Sequence, residues 1–248
     1  MNKKNNSSNK SLAGLFYPDA VAVIGASRDK QKIGRQIFDN ILRGGFAGPV
    51  YPINREGGRI AGHLAYRSIS DVPVGKSKKV LAVIAIPAEF VLSEAEKCAA
   101  RGIKDIIIIS AGFKESGAAG KLREEKLGNL ALKEGLRILG PNCLGLVSSP
   151  ARLNATFSAA YSGLGRTVLL SQSGAIGSSA LDWLREQNLT FRYFVSLGNK
   201  ASLGENQIFE YLQQDKDIDL VVAYLEEVDD GQELMSLISR LAKKCPVA

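Results

Sequence analysis

A turn bounded by two glycines near the start of the chain carries three cationic side chains. It runs from Gly25 to Gly34 and contains Arg28, Lys30 and Lys32, between an apolar run and a helical pattern. Backbone N–H groups at the start of a helix favour a phosphate group, and the cations add positive charge there. The turn therefore predicts a phosphate-binding site. Its glycine spacing does not fit the dinucleotide-binding GxGxxG pattern.

A second turn of similar chemistry lies at residues 171–175, which read Ser-Gln-Ser-Gly-Ala. Two hydroxyls and a glycine between a strand and a helix can form an oxyanion cradle, although a serine there is equally an ordinary N-cap. Residues 198–200 follow the next strand, and we expect them to close the same pocket. Glu226 ends the strand after that. Its carboxylate would repel a phosphate unless it orients a cationic or protonated partner.

Several other chemistries are poorly represented in this composition. The chain has one histidine, His63, and three cysteines, Cys98, Cys143 and Cys245, with no CxxC pair. This count disfavours zinc sites, multi-histidine metal sites and a paired disulfide framework, and a Ser-His-Asp triad would have to use His63. We therefore predict no metal site in this chain.

Alternating apolar runs and helical patterns must position these turns. Strands are predicted over 20–27, 50–54, 80–87, 105–111, 137–140, 167–170, 191–197 and 220–225. Helices are predicted over 33–43, 90–100, 118–134, 175–186, 206–213 and 232–244. Continuous apolar strands separated by helices indicate an α/β protein whose parallel sheets are covered on both faces. Ligands of doubly wound sheets bind at the carboxyl ends of the strands, where both turns lie.

Length and charge divide the chain into two units. The 248 residues suggest one large domain or two small ones. Residues 1–145 hold 23 Lys and Arg against 13 Asp and Glu, a net of +10, and residues 146–248 hold 9 against 12, a net of −3. A polyanionic ligand would suit the basic unit. No basic stripe with interleaved aromatic residues points to nucleic acid.

We predict a disordered tail over 1–11 and two doubly wound domains over 12–148 and 149–248. The tail has no apolar core of a secretory signal, and no apolar run reaches the length of a membrane span, so a cytoplasmic location is expected. Residues 246–248 begin another strand pattern. We therefore expect the second domain to be incomplete and the natural protein to continue.

Eight segments together resemble the nucleoside-diphosphate-forming acyl-CoA synthetases, which include the ADP-forming acetate–CoA ligases and the succinyl-CoA synthetase α subunit. They are VAVIGAS (21–27), GPVYPIN (48–54), ISAGFKE (109–115), GPNCLGLV (140–147), LNATFS (153–158), LLSQSGAIGSSALDW (169–183), FVSLGNKA (194–201) and YLEE (224–227). The order GPNCLG, LNATF, SQSGA is specific in combination.

The resemblance implies a Rossmann-like CoA-binding domain in the first unit. The residues that it implies for CoA are Gly25, Ala26, Ser27, Arg28, Asp29, Lys30, Arg55, Ile86, Pro87, Ser110, Ala111, Gly112, Asn142 and Cys143. Asn142 and Cys143 would lie near the thiol and the acyl group. The family does not use this cysteine as a nucleophile, so Cys143 is interpreted as a small packing residue beside the thioester.

For the second unit the resemblance implies a truncated flavodoxin-like, succinyl-CoA-ligase domain. The phosphate-binding residues that it implies are Ser171, Ser173, Gly174 and Ala175, and Glu226 is the catalytic carboxylate that orients a phosphohistidine. In the family, acyl-CoA and phosphate give an acyl phosphate, and the phosphoryl group passes to histidine and then to ADP. ADP or ATP, with Mg, binds in an ATP-grasp domain or β subunit, which is the expected partner besides the acyl-CoA substrate. A homo-oligomer is possible, and neither nucleic acid nor a membrane is expected as a partner.

Two positions depart from the family pattern. The family's phosphohistidine lies beyond the strand that begins at Pro246, and His63 lies in the wrong domain to replace it. We therefore expect these residues alone to be inactive. Glu56 stands where the family usually has a lysine for a CoA phosphate, and Arg55 or Arg59 would have to substitute.

Two alternatives stay open from the sequence. The chain could be a synthetase-like regulatory module of a protein lysine acetyltransferase. It could instead be a non-catalytic sensor of CoA or NADH, although such a sensor would not need the second cradle.

Overall fold

The computed structural model describes residues 12–73, 75, 79–158 and 163–248, so the tail predicted over 1–11 lies outside the described residues. The helices are α1 (Ala13–Phe16), α2 (Ile33–Arg43), α3 (Ala88–Ala100), α4 (Ala118–Glu134), α5 (Gly174–Glu186), α6 (Glu205–Leu212) and α7 (Gly231–Leu241). The strands are β1 (Ala20–Ile24), β2 (Val50–Ile53), β3 (Arg59–Ile60), β4 (His63–Leu64), β5 (Val80–Ile84), β6 (Asp105–Ile108), β7 (Arg137–Leu139), β8 (Gly145–Ser148), β9 (Leu153–Thr156), β10 (Leu164–Ser171), β11 (Phe191–Ser196) and β12 (Leu220–Tyr224).

The first sheet has the order β2-β1-β5-β6-β7, and every neighbouring pair in it is parallel. Strands β1, β5 and β6 are buried along their whole length. Helices therefore cover both faces of this sheet, which explains why these strands are apolar throughout rather than alternating. The α/β fold expected from the sequence is confirmed here.

The second sheet is mixed rather than wholly parallel. Its order is β12-β10-β11-β8-β9, in which β10, β11 and β12 are parallel while β8 and β9 run antiparallel. The sequence prediction missed β8 and β9 because a short turn joins them, with no helix between to mark the alternation. Strand β8 belongs to this sheet, although its residues fall before the boundary predicted at residue 149.

The segment 246–248 extends the second sheet beside β12. The Val221 N–H donates to the Pro246 carbonyl at 3.0 Å, and the Ala248 N–H donates to the Val221 carbonyl at 2.9 Å. Val221 and Val247 form a parallel bridge. The strand pattern predicted at these residues is therefore confirmed.

The two sheets share one hydrophobic core. Buried residues of α1, β1 and α2 belong to the same cluster as those of β9, β10, β11, α6 and α7. The Asn40 amide on α2 donates to the Thr156 carbonyl at 2.9 Å and to the Ser158 carbonyl at 2.7 Å. The hydroxyls of Tyr17 and Tyr193 are 2.7 Å apart across the same interface. The core thereby holds the strand ends of both sheets against a common cleft. Within the described part of the chain, no helix is both long and apolar enough to cross a bilayer.

Candidate functional site

A cavity of about 950 Å³ lies between the two units, at the carboxyl ends of their strands. The residues that line it are Gly25, Ser27, Gln31, Lys32, Ile33, Gly34, Asn54, Ala85, Ile86, Pro87, Ile109, Ser110, Ala111, Asn142, Cys143, Leu144, Phe157, Gly174, Ala175 and Ser178. We call this cavity the cleft. It opens beside both turns that the sequence identified, so the structure brings the two together.

Two glycines shape the first turn. Gly25 follows β1 with a φ of +96°, and a Cβ there would collide with the Ala85 carbonyl oxygen. A Cβ on Gly34 would collide with the Gly25 carbonyl oxygen. The two glycines therefore let the start of α2 approach the end of β1, as close helix–strand packing requires. Within the described residues no side chain caps the α2 N-terminus at Lys32, so the first N–H groups of this helix remain for a ligand.

The cations of this turn do not all reach the cleft. Lys32 lines it, whereas Arg28, Asp29 and Lys30 are not among the lining residues. Arg28 donates to the Glu56 carboxylate at 2.6 Å. Both side chains of that pair are largely exposed, at 49% and 78%, so the pair contributes at most about 1 kcal/mol. A phosphate group could therefore compete for Arg28.

A smaller cavity of about 340 Å³ adjoins the cleft and shares Gly25 and Asn54 with it. The Arg55 guanidinium lies 4.4 Å above the centre of the Phe90 ring on its wall. The Asn54 amide donates to the Ala26 carbonyl at 2.8 Å, which fixes the first turn against the end of β2. The Arg55–Phe90 pair gives this cavity a flat face that suits a planar ring, and Glu56 and Glu94 also lie on its wall.

The ends of β5 and β6 form the floor of the cleft. The Ser110 hydroxyl donates to the Ile86 carbonyl at 2.5 Å and accepts from the Ile86 N–H at 3.2 Å. Ile86, Pro87, Ser110 and Ala111 all line the cleft. Gly112 does not line the cleft, and its N–H donates to the Glu115 carboxylate at 2.6 Å.

The turn at Asn142 and Cys143 brings a polar and a thiol side chain to the cleft wall. Asn142 has a φ of +57° and is exposed. Cys143 is buried, and burial raises the pKa of its thiol to about 12. The thiol is therefore neutral at physiological pH. This state fits the packing role expected for Cys143 and disfavours a nucleophilic one.

In the second turn the serine hydroxyls form hydrogen bonds with backbone groups of the turn and of the start of α5. Ser171 is buried and donates to the Ser173 carbonyl at 2.7 Å, while Ser173 Oγ accepts from the Ile176 N–H at 3.4 Å as the N-cap of α5. Of the two roles open from the sequence, Ser173 has the N-cap role in this structure. The wall of the cleft is formed instead by Gly174, Ala175 and Ser178, on the first turns of α5.

The segment 198–200, expected to close the pocket, lies behind the cleft wall and contributes no lining residue. The Asn199 amide nitrogen donates to the carboxylates of Glu115 and Glu124 at 2.6 and 2.7 Å. Its carbonyl oxygen accepts from the Asn142 amide at 3.3 Å. Asn199 therefore supports the cleft wall from behind, through its hydrogen bond with Asn142. Burial raises the pKa of Glu115, but hydrogen bonds from Asn199 and three backbone N–H groups leave it below its ordinary value.

The buried Lys200 side chain stabilises the loop that follows β12. Its ammonium lies 3.0 Å from the Glu205 carboxylate and donates to the Glu227 carbonyl at 2.8 Å. The Lys200 and Glu205 side chains are each 1% exposed. Burial raises the pKa of Glu205, but backbone hydrogen bonds and Lys200 leave it below its ordinary value. Lys200 is therefore a structural residue of this loop.

Glu226 begins the same loop, outside the residues that line the cleft. Gln172 Oε1 accepts from the N–H groups of Glu226 and Glu227 at 2.9 and 3.0 Å. This bridge fixes the end of β12 against the end of β10. Gln172 was identified in the sequence only as part of the cradle.

Six residues of the cleft wall lie outside the turns and the site residues assigned from the sequence: Asn54, Ala85, Ile109, Leu144, Phe157 and Ser178. Ser178 lies one helical turn after Gly174, so the α5 periodicity could have indicated it. His63 lies on β4 and does not line the cleft. Among the residues that the structure describes, no group of three or more His, Cys, Asp or Glu side chains could hold a metal ion.

Comparisons with known families divide the chain into two segments, and the first of them includes β8 of the second sheet. Residues 19–149 match the family described as CoA binding domain. Residues 164–248 match the family described as succinyl-CoA ligase like flavodoxin domain.

Curated relatives cover nearly the whole chain. It is 39% identical over 241 residues to acetate–CoA ligase (ADP-forming) I subunit alpha of Pyrococcus furiosus, covering 96% of this chain and 52% of that protein. It is 39% identical over 233 residues to acetate–CoA ligase (ADP-forming) I of Archaeoglobus fulgidus, covering 94% of this chain and 33% of that protein. The chain thus spans about half of the first relative and a third of the second.

A solved structure of a similar protein has the same fold as this chain. The dinucleotide-forming acetyl-coenzyme A synthetase 1 of Ca. Korarchaeum cryptofilum, in complex with phosphate and ADP, superposes with a TM-score of 0.90 at 38% identity. The match covers 97% of this chain and 51% of that one. With its CoA binding domain followed by a succinyl-CoA ligase like flavodoxin domain, the chain belongs to the NDP-forming acyl-CoA synthetase family.

Proposed function

We propose that this chain forms the CoA and phosphate sites of an ADP-forming acyl-CoA ligase, and that acetate is among its acids. One observation carries the proposal: a single cleft is lined by the phosphate-type turn after β1 and by the first residues of α5. The reaction requires a thioester and a phosphate to meet. Two oxyanion-binding strand ends that face one cavity supply that meeting point.

The CoA molecule would extend from the smaller cavity into the cleft. Its adenine would lie beside Arg55 and Phe90, and its phosphates would lie along residues 25–32, with Lys32 inside and Arg28 released from Glu56. The pantetheine arm would pass the ends of β5 and β6.

The thiol would end beside Asn142 and Cys143, and inorganic phosphate would bind at Gly174 and Ala175. A phosphate oxygen would attack the thioester carbonyl carbon. The carbon–sulfur bond then breaks, CoA leaves with the bonding electrons, and an acyl phosphate forms. The positive end of the α5 dipole would stabilise the phosphate charge.

The steps after formation of the acyl phosphate require groups that do not line the cleft. We propose that an ATP-grasp domain or β subunit binds ADP with Mg and receives the phosphoryl group through a histidine. Glu226 would orient that histidine. The one histidine of this chain, His63, does not line the cleft, so we expect no acyl-CoA synthesis from acetate, ATP and CoA by the chain alone. Its cytoplasmic location stays a prediction.

Titration calorimetry with CoA tests the proposal. We expect saturable CoA binding that weakens severalfold in Lys32→Ala, because Lys32 is the cation on the cleft wall. The matched control is Lys126→Ala, which removes an exposed lysine on α4, outside both cavities. Absence of binding at millimolar CoA would overturn the proposal. Tighter binding of NADH than of CoA would favour the sensor alternative, although β2 ends at Asn54 rather than at a carboxylate.

A further inference from the structure

The acyl group has a defined place if the proposed function holds, and this inference rests on it. In an acyl-CoA the carbonyl carbon of the acyl group is bonded to the CoA sulfur, which the proposed function places beside Cys143. An oxygen of the phosphate at Gly174 must reach the same carbon. The carbon therefore lies between these two walls. The remainder of the acyl group must extend along the neighbouring part of the cleft, where Leu144, Phe157 and Ser178 are the lining residues.

Helix α5 presents only small side chains to the part of the cleft that would hold the acyl group. Its cleft-facing residues are Gly174, Ala175 and Ser178, none larger than serine. The helix position is fixed, because a Cβ on Gly177 would lie only 2.9 Å from the Phe194 ring. The helix thus packs tightly on the second sheet while presenting small side chains to the cleft.

Rigid apolar side chains supply the rest of the wall. Leu144 is buried in the cluster that contains Leu181 and Phe194, and the partly buried Phe157 packs against that cluster. Neither side chain can move without disturbing this packing. The space beside α5 is therefore bounded by apolar surface of fixed position.

Charged side chains on the cleft wall lie at the end opposite α5. Lys32 is the single charged side chain among the lining residues that the structure describes, and it lies at the N-terminus of α2. A second carboxylate on the acyl group would have no cationic side chain beside it at the α5 end, and it would lie close to the phosphate proposed to bind there. The repulsion between these two negative charges is unfavourable.

We propose that Ser178 and Phe157 set the size of the acyl group, and that the cleft selects apolar monocarboxylic acyl groups larger than acetyl over dicarboxylic ones. Ser178 leaves space on the helix side. Phe157 limits how far an acyl chain extends on the other side.

Binding of thioesters to the unmodified chain measures this selection directly. Burial of each methylene strengthens binding by about fourfold at most, so the two additional methylenes of butyryl-CoA should make it bind about tenfold more tightly than acetyl-CoA. Succinyl-CoA replaces the butyryl methyl group by a carboxylate and should bind at least about tenfold more weakly than butyryl-CoA.

Two substitutions test the named residues. Ser178→Leu fills the space, so the tenfold preference for butyryl-CoA over acetyl-CoA should fall to about one. Ser179→Leu makes the same change at the next residue, which is exposed and outside the cleft, and should keep the preference. Phe157→Ala should shift the preference towards hexanoyl-CoA. Thermal unfolding of each variant identifies any that fails to fold, and Ser178→Val is then measured in place of Ser178→Leu.

The outcomes separate this inference from the proposed function. If CoA binds but acetyl-CoA, butyryl-CoA and succinyl-CoA bind equally, the inference is wrong and the proposed function stands. If Ser178→Leu and Ser179→Leu change the preference alike, Ser178 does not set acyl size. If CoA itself does not bind, both are wrong.

Discussion

Substitution of Gly25 by alanine should disrupt both the stability of the first unit and its ligand site. The residue has a φ of +96°, a region that side chains with a Cβ rarely adopt, and strain of this kind costs about 1–3 kcal/mol. The added Cβ would also collide with the backbone carbonyl of Ala85, and overpacking adds about 1–3 kcal/mol. We therefore expect a loss of about 2–6 kcal/mol in the free energy of unfolding.

The turn can relieve this collision only by moving away from β5. That movement would displace the start of α2, because Gly34 packs directly on the Gly25 carbonyl. CoA affinity should therefore fall at least about tenfold in Gly25→Ala molecules that still fold, since the N–H groups that we propose for the CoA phosphates lie on this turn.

Urea unfolding and CoA calorimetry measure the two effects. The matched control is Gly231→Ala, at the exposed start of α7, where the nearest atom to the added Cβ is 3.9 Å away. That variant should keep its stability or gain up to about 1 kcal/mol. The reasoning is refuted if Gly25→Ala unfolds within about 0.5 kcal/mol of the unmodified chain and binds CoA equally well.

Four further predictions follow from single contacts. Asn40→Ala leaves two buried carbonyls without their donor and should lower the free energy of unfolding by about 2–4 kcal/mol in urea titration. Cys143, whose thiol pKa burial raises to about 12, should resist alkylation by iodoacetamide at pH 8 until the chain unfolds, and rapid alkylation of folded protein would contradict this. Burial raises the pKa of the Asp215 carboxyl, but Arg192 and other donors leave it below its ordinary value. The ionised carboxylate therefore stabilises the fold fully above about pH 5, and this stabilisation is lost as the pH falls further. When the free energy of unfolding is measured against pH, Asp215→Asn should lose less stability below about pH 5 than the unmodified chain. Glu56→Lys should strengthen CoA binding by up to about fivefold, an effect that added salt should weaken, and unchanged affinity would remove this position from the phosphate site.

The regular elements were predictable because their sequence signals are local. The helices over 33–43 and 118–134 agree with α2 and α4 at both ends. Apolar periodicity and flanking glycines carry that information along the chain. Strands β8 and β9 escaped prediction because their pairing is antiparallel and their connection short, so no intervening helix marked them.

The site was predictable as a pair of turns, but not as a set of side chains. Ser27, Asn142 and Gly174 line the cleft as the sequence indicated. Arg28 does not, because it pairs with Glu56, a partner 28 residues away that no local pattern identifies. Phe157 was missed because it meets the cleft only through packing against the second sheet, whereas the periodicity of α5 could have indicated Ser178.

The most direct test of this account is a crystal structure of the chain with CoA and inorganic phosphate. The account predicts the CoA phosphates along residues 25–32, the thiol in contact with Cys143, and inorganic phosphate at the start of α5. CoA bound outside the cleft, or a phosphate held away from Gly174 and Ala175, would contradict it.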